Sequence, residues 1–384
     1  MTLSVLVLAV GPFAYYLLAI YGSWSFFATR RESSGRNEEF TPPISNLKPI
    51  KGVDPDAYEN FASLCRQDYP DYELVFCVDS DNAEMISVLH KLKRDFPDRA
   101  IRILLGSGRT AANDKAAKLA RLVSEASHEV IVINDSDVRA RPDYLRTVVR
   151  PLADREVGAV TLLYVPIAEH TVADELQSVG MFSDFYAGIF VARLLDGVKF
   201  ALGPTIATTR SQLMGFGGYE SIENRPGDDL LIGRLIAEQG YRVELLPYAV
   251  ETVADFASLK ELVHKRLRWI VVMRHMRPWG HLGLAFTQGL PWTVAAILLA
   301  PSVAVGAMYL SFYLLLRIAL TWLIGSYGLR QKSLARKLLL IPAWDAMAFL
   351  IWAISFTRRS VRWRGSDYYI KEGLLVPVAT AAEE

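Results

Sequence analysis

Residues 3–27 run almost without charge, and three more apolar stretches, 282–299, 302–324 and 338–356, crowd the other end of the chain. A helix needs about 20 apolar residues to cross a hydrocarbon core about 30 Å thick, so both ends of this sequence are expected in or against a membrane. The first stretch has no basic residues ahead of it and no small-residue cleavage pattern near its end, and reads as an anchor in place of a removable signal peptide. Arg30, Arg31 and Arg36 follow it and by the positive-inside rule place the next segment in the cytoplasm. Pro291 and Pro301 punctuate the first C-terminal stretch, which is expected to be kinked or partly interfacial. Arg330, Lys332, Arg336 and Lys337 argue that the loop between the second and third is cytoplasmic. Four complete crossings would then leave Arg358, Arg359, Arg362 and Arg364 outside, so one C-terminal stretch is expected to be re-entrant or interfacial. Arg317 lies inside the second stretch and must face protein, water or a headgroup.

The division that follows is an anchor over 1–29, a cytoplasmic unit over 42–278, membrane helices over 282–357 and a basic tail over 358–384. With 42 basic against 41 acidic residues the chain is no polyanion-coating protein, and no nucleic-acid partner is expected. Cys65 and Cys77 show no zinc or C-x-x-C spacing and read as free thiols in a reducing compartment. In the middle unit, strand-like runs at 73–78, 100–105, 130–133 and 157–164 alternate with helix-like runs at 58–66, 84–96 and 113–126. That alternation predicts an α/β fold, a largely parallel sheet with helices on both faces. Ligands in such a sheet bind beyond the carboxyl ends of the strands.

Residues 130–137, V-I-V-I-N-D-S-D, are the densest chemical signal. Four β-branched residues in a row suit a strand covered on both faces, and Asp135 and Asp137 would share one side of an extended chain. Such a pair can share a hard cation, Mg2+ or Mn2+, that neutralises a diphosphate; a surface turn built from Asn, Asp and Ser is the plain alternative. Asp79 and Asp81 follow another strand. Lys48 and Lys51 stand ready against a diphosphate, unless their segment is only a solvated turn. Lys115 sits near a helix start, where anions are favoured, or is an exposed helix lysine. In R-P-G-D-D, Asp228 or Asp229 is expected as the N-cap of the next helix. Residues 260–269 form a basic helix that faces headgroups or supplies Arg268 and Trp269 to a phosphate-bearing pocket. His264 and His275 have no partner at metal spacing. The aromatic run 181–195 either dips into the membrane interface or is a buried core helix.

Together these patches resemble the ceramide glucosyltransferases of glycosyltransferase family 21 and the related bacterial glycosyltransferases of hopanoid biosynthesis. The resemblance starts at L-K-P-I-K-G-V-D-P, residues 47–55, continues through D-Y-P at 68–70, Asp79, D-S-D at 135–137, Asp228-Asp229 and Arg268-Trp269, and ends near W-R-G at 363–365. It implies a GT-A fold, a mixed and mostly parallel sheet, with transmembrane helices at both ends, in a bacterial inner membrane with the catalytic unit on the cytoplasmic side. It implies inverting transfer of glucose or N-acetylglucosamine from a UDP-sugar to the hydroxyl of a membrane lipid such as ceramide or a hopanoid. In the roles so implied, Asp79 contacts the nucleotide, Asp135 and Asp137 hold the diphosphate and a divalent metal, and Asp229 is the general base beside Asp228. Lys265, Arg268 and Trp269 fall on the (Q/R)-x-x-R-W motif, and Lys115 on the lysine of P-K-x-x-N-L.

The sequence departs from that pattern in places. C-V-D-S-D-N-A is shorter than C-V-x-D-P-x-D-P and leaves Asp79 and Asp81 as alternatives; Lys265 keeps a charge but not the planar guanidinium fork; Leu230 stands where a tyrosine usually follows the paired acid. A processive polysaccharide synthase should show Q-x-x-R-W and more membrane helices, and a silent lipid-binding scaffold would have no need of Asp135, Asp137 and Asp229.

Overall fold

The computed structural model describes residues 2–28, 40–167, 170–253, 256–363 and 366–378. Arg30, Arg31, Arg36 and Arg364 lie outside the described residues.

The middle unit is built on an eight-stranded mixed sheet in the order β3-β2-β1-β4-β7-β6-β8-β5. The strands are β1 (Ile44–Pro49), β2 (Tyr72–Val78), β3 (Ala100–Leu105), β4 (Val130–Ile133), β5 (Val138–Arg139), β6 (Val157–Ile167), β7 (Ile206–Thr209) and β8 (Arg242–Val253). β1, β2, β3 and β4 are parallel neighbours, and β6 pairs in parallel with β8. β7 runs antiparallel between β4 and β6. The sheet is covered on both faces. Val130 and Val132 of β4 join the core of one face, with Phe61, Leu89 and Val148. Ile131 and Ile133 join the other, with Leu119, Leu122 and Ile232. Burial of both sets explains why the strand has no polar alternation.

A third core joins the sheet to the apolar ends, bringing Leu163, Val165 and Leu245 against Phe13, Phe26, Tyr313 and Leu320. Among the described residues, four helices are long and apolar enough to cross a membrane: Thr2–Ala28, Val172–Asp196, Val303–Gly328 and Leu334–Ser355. The stretch 282–299 is broken into Pro278–Gly283, Leu284–Thr287 and Gly289–Leu298, and its longest piece is too short to span. Val172–Asp196 packs largely inside the protein; Phe190 is fully buried against Phe26 and Phe27.

The membrane-side contacts fix directions. Tyr309 donates to the Leu6 carbonyl, and Gly328 lies against the Phe27 ring, so Val303–Gly328 runs alongside the N-terminal helix in the same sense. Arg317 is buried and finds protein: both oxygens of Asp345, the Ser183 carbonyl and the Tyr16 ring. Helix Ile341–Ser355 is tied to helix Leu259–Met276 at both of its ends, Trp344 lying against Arg266 and the Ser355 carbonyl accepting from Arg274. Beyond it, β9 (Ser360–Trp363), β10 (Ser366–Lys371) and β11 (Leu374–Pro377) form a three-stranded antiparallel sheet within the segment expected as a basic tail.

Candidate active site

β1, β2 and β4 lie side by side in matched register, Ile44 opposite both Tyr72 and Val130. Their carboxyl ends therefore deliver Lys51, Asp79 and Asp135 to one edge. Asp135 and Asp137 converge for a different reason from strand alternation, because the chain leaves β4 at Ile133 and turns through 136–137. Buried Asn134 clamps the start of that turn: its amide donates to the Tyr144 hydroxyl (2.7 Å), the Pro204 carbonyl (3.0 Å) and Thr205 Oγ1 (3.2 Å). Lys48 is fully buried and donates to the Asp135 carbonyl at 2.7 Å, so it holds the turn from beneath. Burial pushes its ammonium down to about 8, against the attraction of Asp137, Asp135 and Asp54.

Lys115 does reach the acidic centre. Asn113 caps helix Asp114–Glu125 by accepting from the Ala116 amide, and Lys115 in its first turn lies 2.6 Å from Asp135 Oδ1 and 3.5 Å from Asp228 Oδ2. Burial opposes its charge, but Asp135, Asp228 and Asp229 outweigh burial and keep the ammonium well above its ordinary value.

The D-D pair corrects an expectation. Neither aspartate is the N-cap: Gly227, left-handed at φ 71°, occupies that position, and Asp228 and Asp229 are the first residues of helix Asp228–Glu238. Glycine is the residue that adopts this conformation without strain. Asp228 turns back to Asn113 and Lys115. Asp229 turns to the centre, where Oδ2 accepts from the Gly203 amide at 3.1 Å and Oδ1 from its neighbour Leu230 at 2.9 Å. A Cβ added to Gly203 would lie 3.0 Å from Asp135 Oδ2 and 3.1 Å from Asp229 Oδ2, so both carboxylates border the same small volume. Burial first, then Asp228, pushes the Asp229 carboxyl up to about 6, with Lys115 opposing.

On one flank a cleft of about 730 Å³ is lined by Lys51, Asp79, Asp81, Gly106, Arg109 and Asp114. Buried Lys118 ties Asp79 (2.6 Å) to Asp114 (3.1 Å); Asp81 is exposed at the rim. On the other flank helix Leu259–Met276 carries Lys265, Arg268 and Trp269 on one face, as spacings of three and four residues require. The protein crowding Lys265 lowers its ammonium, with Asp137 opposing. Trp269 meets Phe185 (6.5 Å), which meets Tyr164 (6.0 Å), an aromatic floor whose Phe185 and Tyr164 pack against the core of the apolar helices.

The site fits a divalent cation. Asp137 is raised above the ordinary carboxylate range by burial, Asp135 and Asp54, and Asp54 Oδ2 is buried with no hydrogen-bond partner among the described residues. That is an excess of negative charge that a cation would neutralise. Among the described residues no three acidic, thiol or imidazole ligands converge, so Asp135 and Asp137 would hold the ion and donor phosphates would complete its shell, as is usual for Mg2+.

Gly203, Asp54 and Lys118 were not singled out from the sequence. Asp54 lies in the K-G-V-D-P run and Lys118 four residues after Asp114, but Gly203 carries no local signal.

A family model described as Glycosyl transferase family 21 matches residues 4–376. Ceramide glucosyltransferase 3 of Caenorhabditis elegans is 22% identical over 277 residues, which cover 72% of this chain and 60% of that protein. The ceramide glucosyltransferase of Komagataella phaffii is 27% identical over 325 residues, 68% of this chain and 63% of that one. The chain thus spans less than two thirds of either relative's length. A mannosyltransferase from Pyrobaculum calidifontis, solved in complex with GDP-Man and Mn2+, superposes with a TM-score of 0.57 at 18% identity, over 91% of this chain and 98% of that one. The likeness is one of fold, the GT-A arrangement.

Proposed function

This chain belongs to glycosyltransferase family 21, and from that premise we propose that it transfers a sugar from a UDP-sugar to the hydroxyl of a membrane lipid, with inversion. The observation that carries the reading is the meeting of Asp135 and Asp229 beside Gly203, between a nucleotide-sized cleft and an aromatic floor against the apolar helices.

In this reading the nucleoside occupies the cleft beside Asp79 and Lys51. Lys115 lies where the diphosphate meets Asp135 and contributes positive charge. A divalent cation held by Asp135 and Asp137 would neutralise the leaving diphosphate. The acceptor hydroxyl approaches from the side of Tyr164, Phe185 and Trp269. Asp229 takes its proton as the new bond to the anomeric carbon forms and the bond from that carbon to the diphosphate oxygen breaks. Asp228 is held by Lys115 and Asn113, which leaves Asp229 the better-placed base.

The names of the relatives favour glucose and ceramide; a hopanoid acceptor with N-acetylglucosamine is the other pairing that the sequence resemblance implies. The test incubates membranes containing the protein with a panel of labelled UDP-sugars and identifies the glycolipid by mass spectrometry. A glycolipid from one donor is expected. Labelled sugar only in water-soluble products would overturn a lipid acceptor.

A further inference from the structure

A second cavity, about 660 Å³, opens between helix Leu259–Met276 and strand β9. Lys265, Arg268, Arg358 and Arg362 line it, against two acids, Glu261 and Asp367. Glu261 is already engaged, accepting from the Ala257 amide at 3.1 Å. Arg362 and Asp367 are cross-strand partners, yet among the described residues neither Arg358 nor Arg362 forms an ion pair. A cavity walled by four cations is a place for an anion.

We propose that Arg358 and Arg362, carried by the segment after the last long apolar helix, bind the diphosphate of the donor together with Lys265 and Arg268. The inference rests on the nucleotide-sugar reading above. Three observations join this cavity to the acidic centre in preference to the lipid surface. Lys265 lines this cavity, and Asp137 is the carboxylate that acts on it most strongly. Arg274 pins the segment by donating to the carbonyls of Ser355 and Arg358, while Val361 packs with Val271 and Val272, so both arginines stand on a fixed frame. The small sheet also reaches the donor side. The Leu375 amide donates to the Asn224 carbonyl (2.8 Å), and the Asn224 side chain accepts from the Ala112 amide (3.1 Å), which links the sheet to the loops before Asp228 and Asp114.

The test uses the full chain in neutral detergent and titrates UDP by calorimetry. Arg358→Gln/Arg362→Gln is expected to weaken UDP binding by about tenfold or more, the scale of losing hydrogen bonds to a charged group. Arg358→Lys/Arg362→Lys should recover part of it, and Lys332→Gln, a charge loss in the other basic loop, should change nothing. Equal melting temperatures exclude misfolding, and the lysine variant keeps the test open if the glutamine variant unfolds. UDP affinity unchanged in the glutamine variant overturns the proposal. So does a variant that keeps UDP but loses retention on phosphatidylglycerol vesicles, since the cavity would then hold a lipid headgroup. Wild-type protein that takes no UDP would sink the donor reading itself; inorganic pyrophosphate, titrated into the same proteins, would then still decide whether these arginines bind a diphosphate.

Discussion

At the scale of single residues, the site depends on placing carboxylates close together and controlling their protons. Asp229 can accept a proton only when ionised. Because burial and Asp228 raise its carboxyl to about 6, the base form is lost as pH falls through that value. The kcat/KM profile is expected to drop below about 6 and level off above it; a flat profile through that range would remove Asp229 from the role. Metal binding should weaken in the same direction, since Asp137, also raised, must give up its proton to bind a cation. Gly203 makes a sharper demand. Gly203→Ala would press a methyl against Asp135 and Asp229, and about a 100-fold loss of kcat is expected from displaced groups, with the melting temperature little changed. Full activity in that variant would show that the two carboxylates have room to spare.

At the scale of elements, the contacts of the apolar helices separate those that lead away from the catalytic unit from those that lie along it. Val303–Gly328 returns toward the unit beside the N-terminal helix, and Ile341–Ser355 is fastened at both ends to Leu259–Met276. From these contacts we propose that the loop near Lys332 and the segment near Arg359 both lie on the catalytic side, which would reconcile the loop charges with the crossings. Single cysteines at Lys332 and Arg359 are expected to react with an impermeant reagent from that side alone, and labelling from opposite sides would contradict it. The Arg317–Asp345 pair joins two of these helices. Asp345→Leu leaves Arg317 buried without its carboxylate and is expected to cost about 3–5 kcal/mol, read as a lower melting temperature in detergent. Arg317→Met/Asp345→Leu should recover much of that loss. Close packing adds to the lock: a Cβ on Gly180 would overlap the Trp344 ring, the small-residue contact that lets helices approach closely.

At the scale of the whole molecule, the sequence made legible what local pattern carries. β2 and β4 could be read from apolar runs because both faces of each are covered, whereas β3, an edge strand whose run is interrupted by Arg102, is only partly buried. β5 and β7, of two and four residues, are too short for a period to register, and both run antiparallel to their neighbours, which makes the sheet mixed. Strands β9 to β11 hid behind the arginines that suggested a tail. Asp135, Asp137, Asp228 and Asp229 stood out as acidic motifs at the ends of elements. The volume they enclose did not, because Gly203 meets Asp135 and Asp229 only through the order of β4, β7 and the following helices. The central claim is that this meeting of distant segments performs the transfer through Asp229. The most direct measurement is the single-turnover rate of Asp229→Asn beside its affinity for the UDP-sugar. The account predicts a rate about 100- to 10,000-fold lower with donor affinity largely kept; a wild-type rate in that variant would contradict it.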